Sequence, residues 1–151
     1  MIKGLCGIKL TTVAMLPSID SLDAQSIQYP ARTRRRAELA MRCLPFQLPL
    51  FAAMRVKSVP LQAIAGQEGV ENHYIRRPLP ELSVESGLVW LIQVGILRRE
   101  VDGQGITDSF RLTPLGRQLV EKYEKQEGLI PQPTLIDQLY NALNRWLRLP
   151  V

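Results

Sequence analysis

Residues 88–120 read LVWLIQVGILRREVDGQGITDSFRLTPLGRQLV, and the reading of this stretch decides the fold. Leu88, Leu91 and Ile92 are the last apolar positions of a helix, and Gly95 follows where a helix end needs left-handed backbone. Ile96 to Val101 has strand character. Asp102, Gly103, Gln104 and Gly105 supply turn chemistry, because glycine reaches positive φ without a steric penalty. Ser109 to Leu112 returns as the partner strand. Thr113 then suits an N-cap and Pro114 the first helical position, where a missing N–H costs nothing.

Working outward toward the N-terminus, Ala31 to Leu44 predicts a helix with Ala37, Ala40, Met41 and Leu44 on one face. Pro45 stops it. Phe46 to Lys57 restarts as a helix that buries Leu50, Phe51 and Met54, with Pro45 and Pro49 confined to its first turn. Val59 suits a short strand bridge, and Pro60 to Gly69 predicts a further helix with Leu61, Ile64 and Ala65 inward. In Pro80 to Val94, Val84, Leu88 and Leu91 recur at helical spacing and form a core face. Ser83, Glu85, Ser86, Val89 and Trp90 then fall outside, although Trp90 reads equally as a core residue placed on the wrong side. Toward the C-terminus, Thr113 to Glu127 is a helix, residues 128–133 are a linker, and Thr134 caps a last helix. Its Leu135, Leu139, Leu143 and Trp146 make an apolar stripe, which either folds back on residues 31–44 or pairs with a second subunit. Pairing is the favoured alternative.

The order helix, strand, glycine hairpin, strand, helix resembles winged helix-turn-helix proteins, and GILRRE with FRLTPLGRQLV is similar to the wing of the MarR, PadR and HxlR regulators. Residues 31–100 also resemble a small cyanobacterial group of winged-helix proteins. IAGQEGV looks like a helix-turn-helix signature, with Ala65 small at a helix crossing and Gly69 at the turn. The next helix is then either Glu71 to Arg77 or Glu81 to Val94; the frame of the wing selects the second and makes residues 70–80 an inserted connection. The implied fold is mainly α with a small antiparallel β-wing: a winged helix-turn-helix with extra N- and C-terminal helices. Residues 1–29 are expected to be a mobile arm, 30–127 the winged-helix domain with its basic first helix, and 128–151 a linker with an amphipathic helix.

Charge and composition narrow the function. The chain has 151 residues and a net charge of +5. Between Pro30 and Lys57, seven basic side chains face Glu38 alone, a surplus of six that exceeds that of the whole chain. Such a patch suits a polyanion, or is simply a solvated helix face. The resemblance implies DNA binding, with Arg32, Arg35, Arg36, Arg76, Arg77, Arg98 and Arg99 at phosphates and the residue 83–90 face in a major groove. Arg98, Arg99 and Arg111 are alternatively cross-strand partners of Glu100 and the hairpin aspartates. Against base reading, the helix offers Glu81 and Glu85 and no cation, and an outward Trp90 is typical of a protein contact. A winged-helix protein-interaction module without sequence-specific DNA binding is therefore the alternative.

His73 is the single histidine and reads as a loop residue. There is no nucleophile motif, phosphate loop or metal-ligand cluster, so neither an enzyme nor a cofactor or metal site is expected. No apolar run approaches a membrane span. Residues 1–16 read as a flexible leader, with Met15 a second candidate start, and Cys6 and Cys43 do not form a disulfide framework; the cytoplasm is the expected compartment.

Overall fold

The computed structural model describes residues 27–147. The expected leader, most of the expected arm, Cys6 and the alternative start at Met15 lie outside the described residues.

Among the described residues there are six α-helices and one three-stranded antiparallel sheet. In chain order they are α1 (Ala31–Cys43), α2 (Leu48–Val56), β1 (Val59–Pro60), a 3-10 turn (Leu61–Ala63), α3 (Gly66–Glu71), α4 (Glu81–Gln93), β2 (Leu97–Asp102), β3 (Gly105–Leu112), α5 (Pro114–Gln126) and α6 (Leu135–Leu147). The architecture is thus mainly α with a small β-sheet, as expected.

The hairpin forms where the glycines demand it. Gly95 ends α4 at φ 84°, and Gly105 opens β3 at φ 129°, backbone that L side chains avoid. Leu97 lies opposite Leu112 and Arg99 opposite Phe110; a bulge follows before Val101 meets Ile106. The second strand starts at Gly105, four residues before the expected Ser109, because the turn closes on Gly103 and Gln104 alone. Val59 pairs with Phe110, so β3 is the central strand in the order β1-β3-β2.

Thr113 caps α5 as its position suggests: its hydroxyl accepts from the Gly116 N–H at 3.1 Å and donates to the Gly95 carbonyl at 2.5 Å. One threonine thereby fastens the start of α5 to the end of α4. Gly116 is required for the same approach, since a Cβ there would collide with the Ile96 carbonyl and lie 2.8 Å from Leu112 Cδ2.

The core lies between α1, α2, α4, α5 and the sheet. Met41, Leu50, Phe51, Met54, Ile64, Ile75, Val84, Leu88, Leu91, Ile96 and Phe110 are fully or almost fully buried. Residues 60–69 differ from expectation. A 3-10 turn gives way at Ala65 and Gly66 (φ 61°) to the short helix α3, so one helix becomes two. Gly69 does not end a helix. It sits inside α3, where a Cβ would strike the Ile64 carbonyl, so its absence of a side chain serves packing. Residues 72–80 contain no helix, as the frame of the hairpin requires; Ile75 makes a bridge to Phe46 and is buried. His73 is exposed at φ 58°.

Candidate functional site

Three surfaces carry the chemistry: the outer face of α4, the hairpin, and α6 with the α1 flank beside it. α4 is positioned by Val84, Gly87, Leu88 and Leu91, all buried, with Gly87 lying close to the Phe46 ring. Its outward side carries Leu82, which is 78 % exposed, together with Ser86 and Gln93; Glu85 and Val89 are half-buried at its edge, and Ser83 is exposed near the helix start. α4 itself contributes no cation to this face, and Arg145 of α6 reaches it at Ser86.

Trp90 requires a correction. It is 3 % exposed and belongs to the core, not to the outer face. Its indole Nε1 donates to Asn141 Oδ1 of α6 at 3.1 Å, and the Arg36 guanidinium carbon lies 5.3 Å from the ring centroid. The apolar spacing of α4 alone could not reveal this, because α6 covers that side of the helix from more than fifty residues away.

The arginines separate into two kinds. Arg99 is occupied: it donates to Glu85 at 3.2 Å and to Asp108 at 3.1 Å, and lies over the Phe110 ring. It ties α4 to both strands, which is the cross-strand alternative and not a free phosphate contact. Arg76, Arg77 and Arg98 are exposed and make no ion pair with a described residue. Arg76 and Arg77 precede the N-terminal end of α4. Arg32, Arg35 and Arg36 lie near its C-terminal end, about 20 Å away along a thirteen-residue helix. The seven expected phosphate contacts therefore do not form one cluster. Beyond Arg99, the hairpin presents exposed Val101 and Ile106 opposite each other, an apolar tip instead of a basic one.

α6 is the feature that sequence reasoning resolved only in part. It does fold back on α1 and α4, but with its polar side. Asp137 pairs with Arg42 at 3.2 Å, Asn141 accepts from Trp90, and Arg145 donates to the Ser86 carbonyl at 3.2 Å and to the Ser86 hydroxyl. Asn141 is the buried residue of the helix. The stripe faces outward: Leu135 is 82 % exposed, Leu139 63 %, Leu143 47 % and Trp146 88 %, with Ile136, Tyr140 and Leu147 exposed beside them. The polar spacing 137, 141, 144, 145 was the available sign that this side docks.

Thr134 and Asp137 cap the helix reciprocally: the Thr134 N–H donates to Asp137 Oδ2 at 3.0 Å and the Asp137 N–H to Thr134 Oγ1 at 3.2 Å. The Thr134 N–H, then the Thr134 side chain, with help from Arg42, hold the Asp137 carboxyl below its ordinary range. Burial, and then the charge of Asp137, push the Cys43 thiol up, so this half-buried thiol is a poor nucleophile. Among the described residues no group of three or more His, Cys, Asp or Glu is placed to hold a metal, and no helix is long and apolar enough to cross a membrane.

The fold and these surfaces define a mainly helical protein with a β-hairpin and an outward-facing terminal helix. Residues 27–145 match the family model described as Npun_F0494-like, and the chain belongs to that family. No curated protein and no solved structure matches the chain.

Proposed function

We propose that the chain is a winged-helix interaction module that works as a homodimer assembled through α6. The winged-helix reading rests on element order: three successive helical pieces, a hairpin directly after the third, and a first strand that pairs with the returning one. Gly95, the Thr113 cap and Gly116 support it, since together they set the angle between hairpin and flanking helices.

One observation carries the assembly. An isolated monomer keeps the greasy side of a helix against the core, yet α6 turns it to water. Seven large, mostly apolar side chains of this one helix are between 47 % and 88 % exposed. A contiguous apolar patch of that extent is unusual on a monomer and marks an interaction surface. The stripe from Leu135 to Leu147 contains no charged side chain, so it offers nothing for an oppositely charged partner to match. It is complementary to itself: two copies related by a two-fold axis lay their α6 helices antiparallel, the Leu135 end of one against the Trp146 end of the other. The outer face of α4 around Leu82 and the apolar hairpin tip then remain for a further protein. Light scattering on the purified chain tests the assembly. A mass of two chains supports it, and a single chain at every concentration contradicts it.

DNA binding is the second reading, favoured by Arg76, Arg77 and Arg98, which stand exposed and without ion pairs on either side of α4 in the sequence. Binding of this kind falls with salt at a slope of about −0.9 per phosphate contact. Anisotropy titration of a labelled duplex at several salt concentrations decides it. A steep slope that flattens in Arg76→Gln, Arg77→Gln favours DNA, and no binding at low salt removes it.

A further inference from the structure

Two grooves flank α1, and their charges differ. On one side Arg34, Arg35, Arg42 and Lys122 line the groove with two carboxylates, and these pair with two of the four cations: Glu38 with Lys122 at 2.7 Å and Asp137 with Arg42 at 3.2 Å. On the other side a groove of about 610 Å³ opens between α1, the C-terminal end of α4 and α6. Arg32, Arg35 and Arg36 line it, with Gln93, Tyr140 and Asn144, and no carboxylate does. Asp137 does act on Arg35, but from the opposite groove. Arg32 lies at i, i+3 and i, i+4 from Arg35 and Arg36, a spacing at which like charges mildly repel and a bound anion relieves the repulsion.

Arg36 is already oriented. Its guanidinium carbon lies over the Trp90 ring, 5.3 Å from the centroid, the Trp90 ring is itself held by Asn141, and the buried Arg36 Nε has no hydrogen-bond partner. Stacking fixes the plane of a guanidinium and leaves its in-plane donors for an oxyanion. Gln93, Asn144 and Tyr140 add neutral donors around the same space. The volume falls in the range of small-molecule sites, about 300–1,000 Å³.

We propose that this groove binds a small organic phosphate carrying at least two negative charges, about the size of a nucleotide. Phosphate suits it better than a lone carboxylate, because three guanidinium groups exceed what one carboxylate can accept. The α6 wall, with Tyr140 and Asn144, makes the space concave, so a duplex backbone reaches its rim and not its floor. The groove shares Tyr140 with the edge of the apolar stripe, but its arginines lie outside the stripe, so anion binding and assembly are tested by different variants.

Calorimetric titration with inorganic pyrophosphate and with ATP tests it, with a short DNA duplex as the third arm. Saturable binding of pyrophosphate or ATP is expected. Arg32→Gln and Arg35→Gln, both at exposed positions, each weaken it about tenfold or more, as loss of a charge-assisted contact does. Asn144→Asp, which puts a carboxylate in the groove, weakens it further, and Arg98→Gln leaves it unchanged. Absence of saturable binding overturns the proposal. So do equal affinities for all four variants, and so does binding of the duplex alone with the same variant pattern, which would assign these arginines to a nucleic-acid backbone.

Discussion

The hairpin region and the terminal helix use amphipathic sequence in opposite ways. In α4 and the base of the hairpin, apolar residues at helical or strand spacing point inward: Val84, Leu88, Leu91, Phe110 and Leu112 are buried. In α6 the same kind of spacing produces Leu135, Leu139, Leu143 and Trp146 pointing outward, while Asp137, Asn141 and Arg145 hold the helix to the body. Periodicity therefore reports that a face needs burial. It does not report whether the chain supplies the cover itself. Where the chain does, the face stabilises folding; where it does not, the face is available to a partner, and mutations in the two regions must act on different observables.

The largest effect is expected at the junction of hairpin and α5. Gly116→Val places a branched side chain against the Ile96 carbonyl and Leu112, and should destabilise by about 3 kcal/mol or more, or prevent folding. Urea titration followed by circular dichroism measures it. Next is Trp90. Trp90→Ala removes a buried ring and should lose about 3–5 kcal/mol. Trp90→Phe keeps most of the volume, loses the bond to Asn141, and should cost about 1 kcal/mol, with faster amide exchange confined to α6. If exchange speeds up equally in α4 and α6, the two regions are one cooperative unit and the contrast between them is wrong.

Titration separates the regions more gently. Burial, and then the charge of Glu38, raise the Tyr123 phenol from 10.0 to about 12. The stability tied to its neutral form is whole below pH 10 and is lost as pH rises toward 12. Alkaline unfolding of the core should therefore shift in Tyr123→Phe. Asp137 runs the other way. Folding lowers its pKa, so its contribution is whole at neutral pH and fades as acid protonates the carboxylate, below the ordinary carboxylate range. Acid should release α6 before the core, visible as early exchange at residues 135–147 and absent in a chain already carrying Asp137→Asn. The smallest effect is expected for Arg99→Ala, whose two partly exposed ion pairs should be worth no more than about 1 kcal/mol.

Much of the fold was legible because its signals are local. Gly95, Gly105, Thr113 and Pro114 each force a backbone or capping choice within a few residues, and the flanking helices follow within one or two positions, while β3 starts four residues early. Other features depend on what lies across the molecule. Gly69 looked like a terminator and is a packing contact with Ile64 and Ile75. Trp90 read equally as outward or core, and only Asn141 and Arg36, which enclose it, decide for the core. Arg99 looked available and is held by Glu85 and Asp108, a pairing that depends on the hairpin leaning on α4. The apolar stripe was legible residue by residue, but its direction was not, because it is set by three polar contacts with α1 and α4 that no single segment contains.

The most direct test of outward-facing assembly is sedimentation velocity of the wild type beside Leu139→Asp, Leu143→Asp. The wild type should sediment as a dimer at micromolar concentration. The variant should sediment as a folded monomer, its dimer weakened by about 2 kcal/mol or more, roughly thirtyfold, with an unfolding midpoint within about 0.5 kcal/mol of a wild-type monomer. A wild type that stays monomeric at all concentrations, or a variant that dimerises as well as the wild type, would contradict the account.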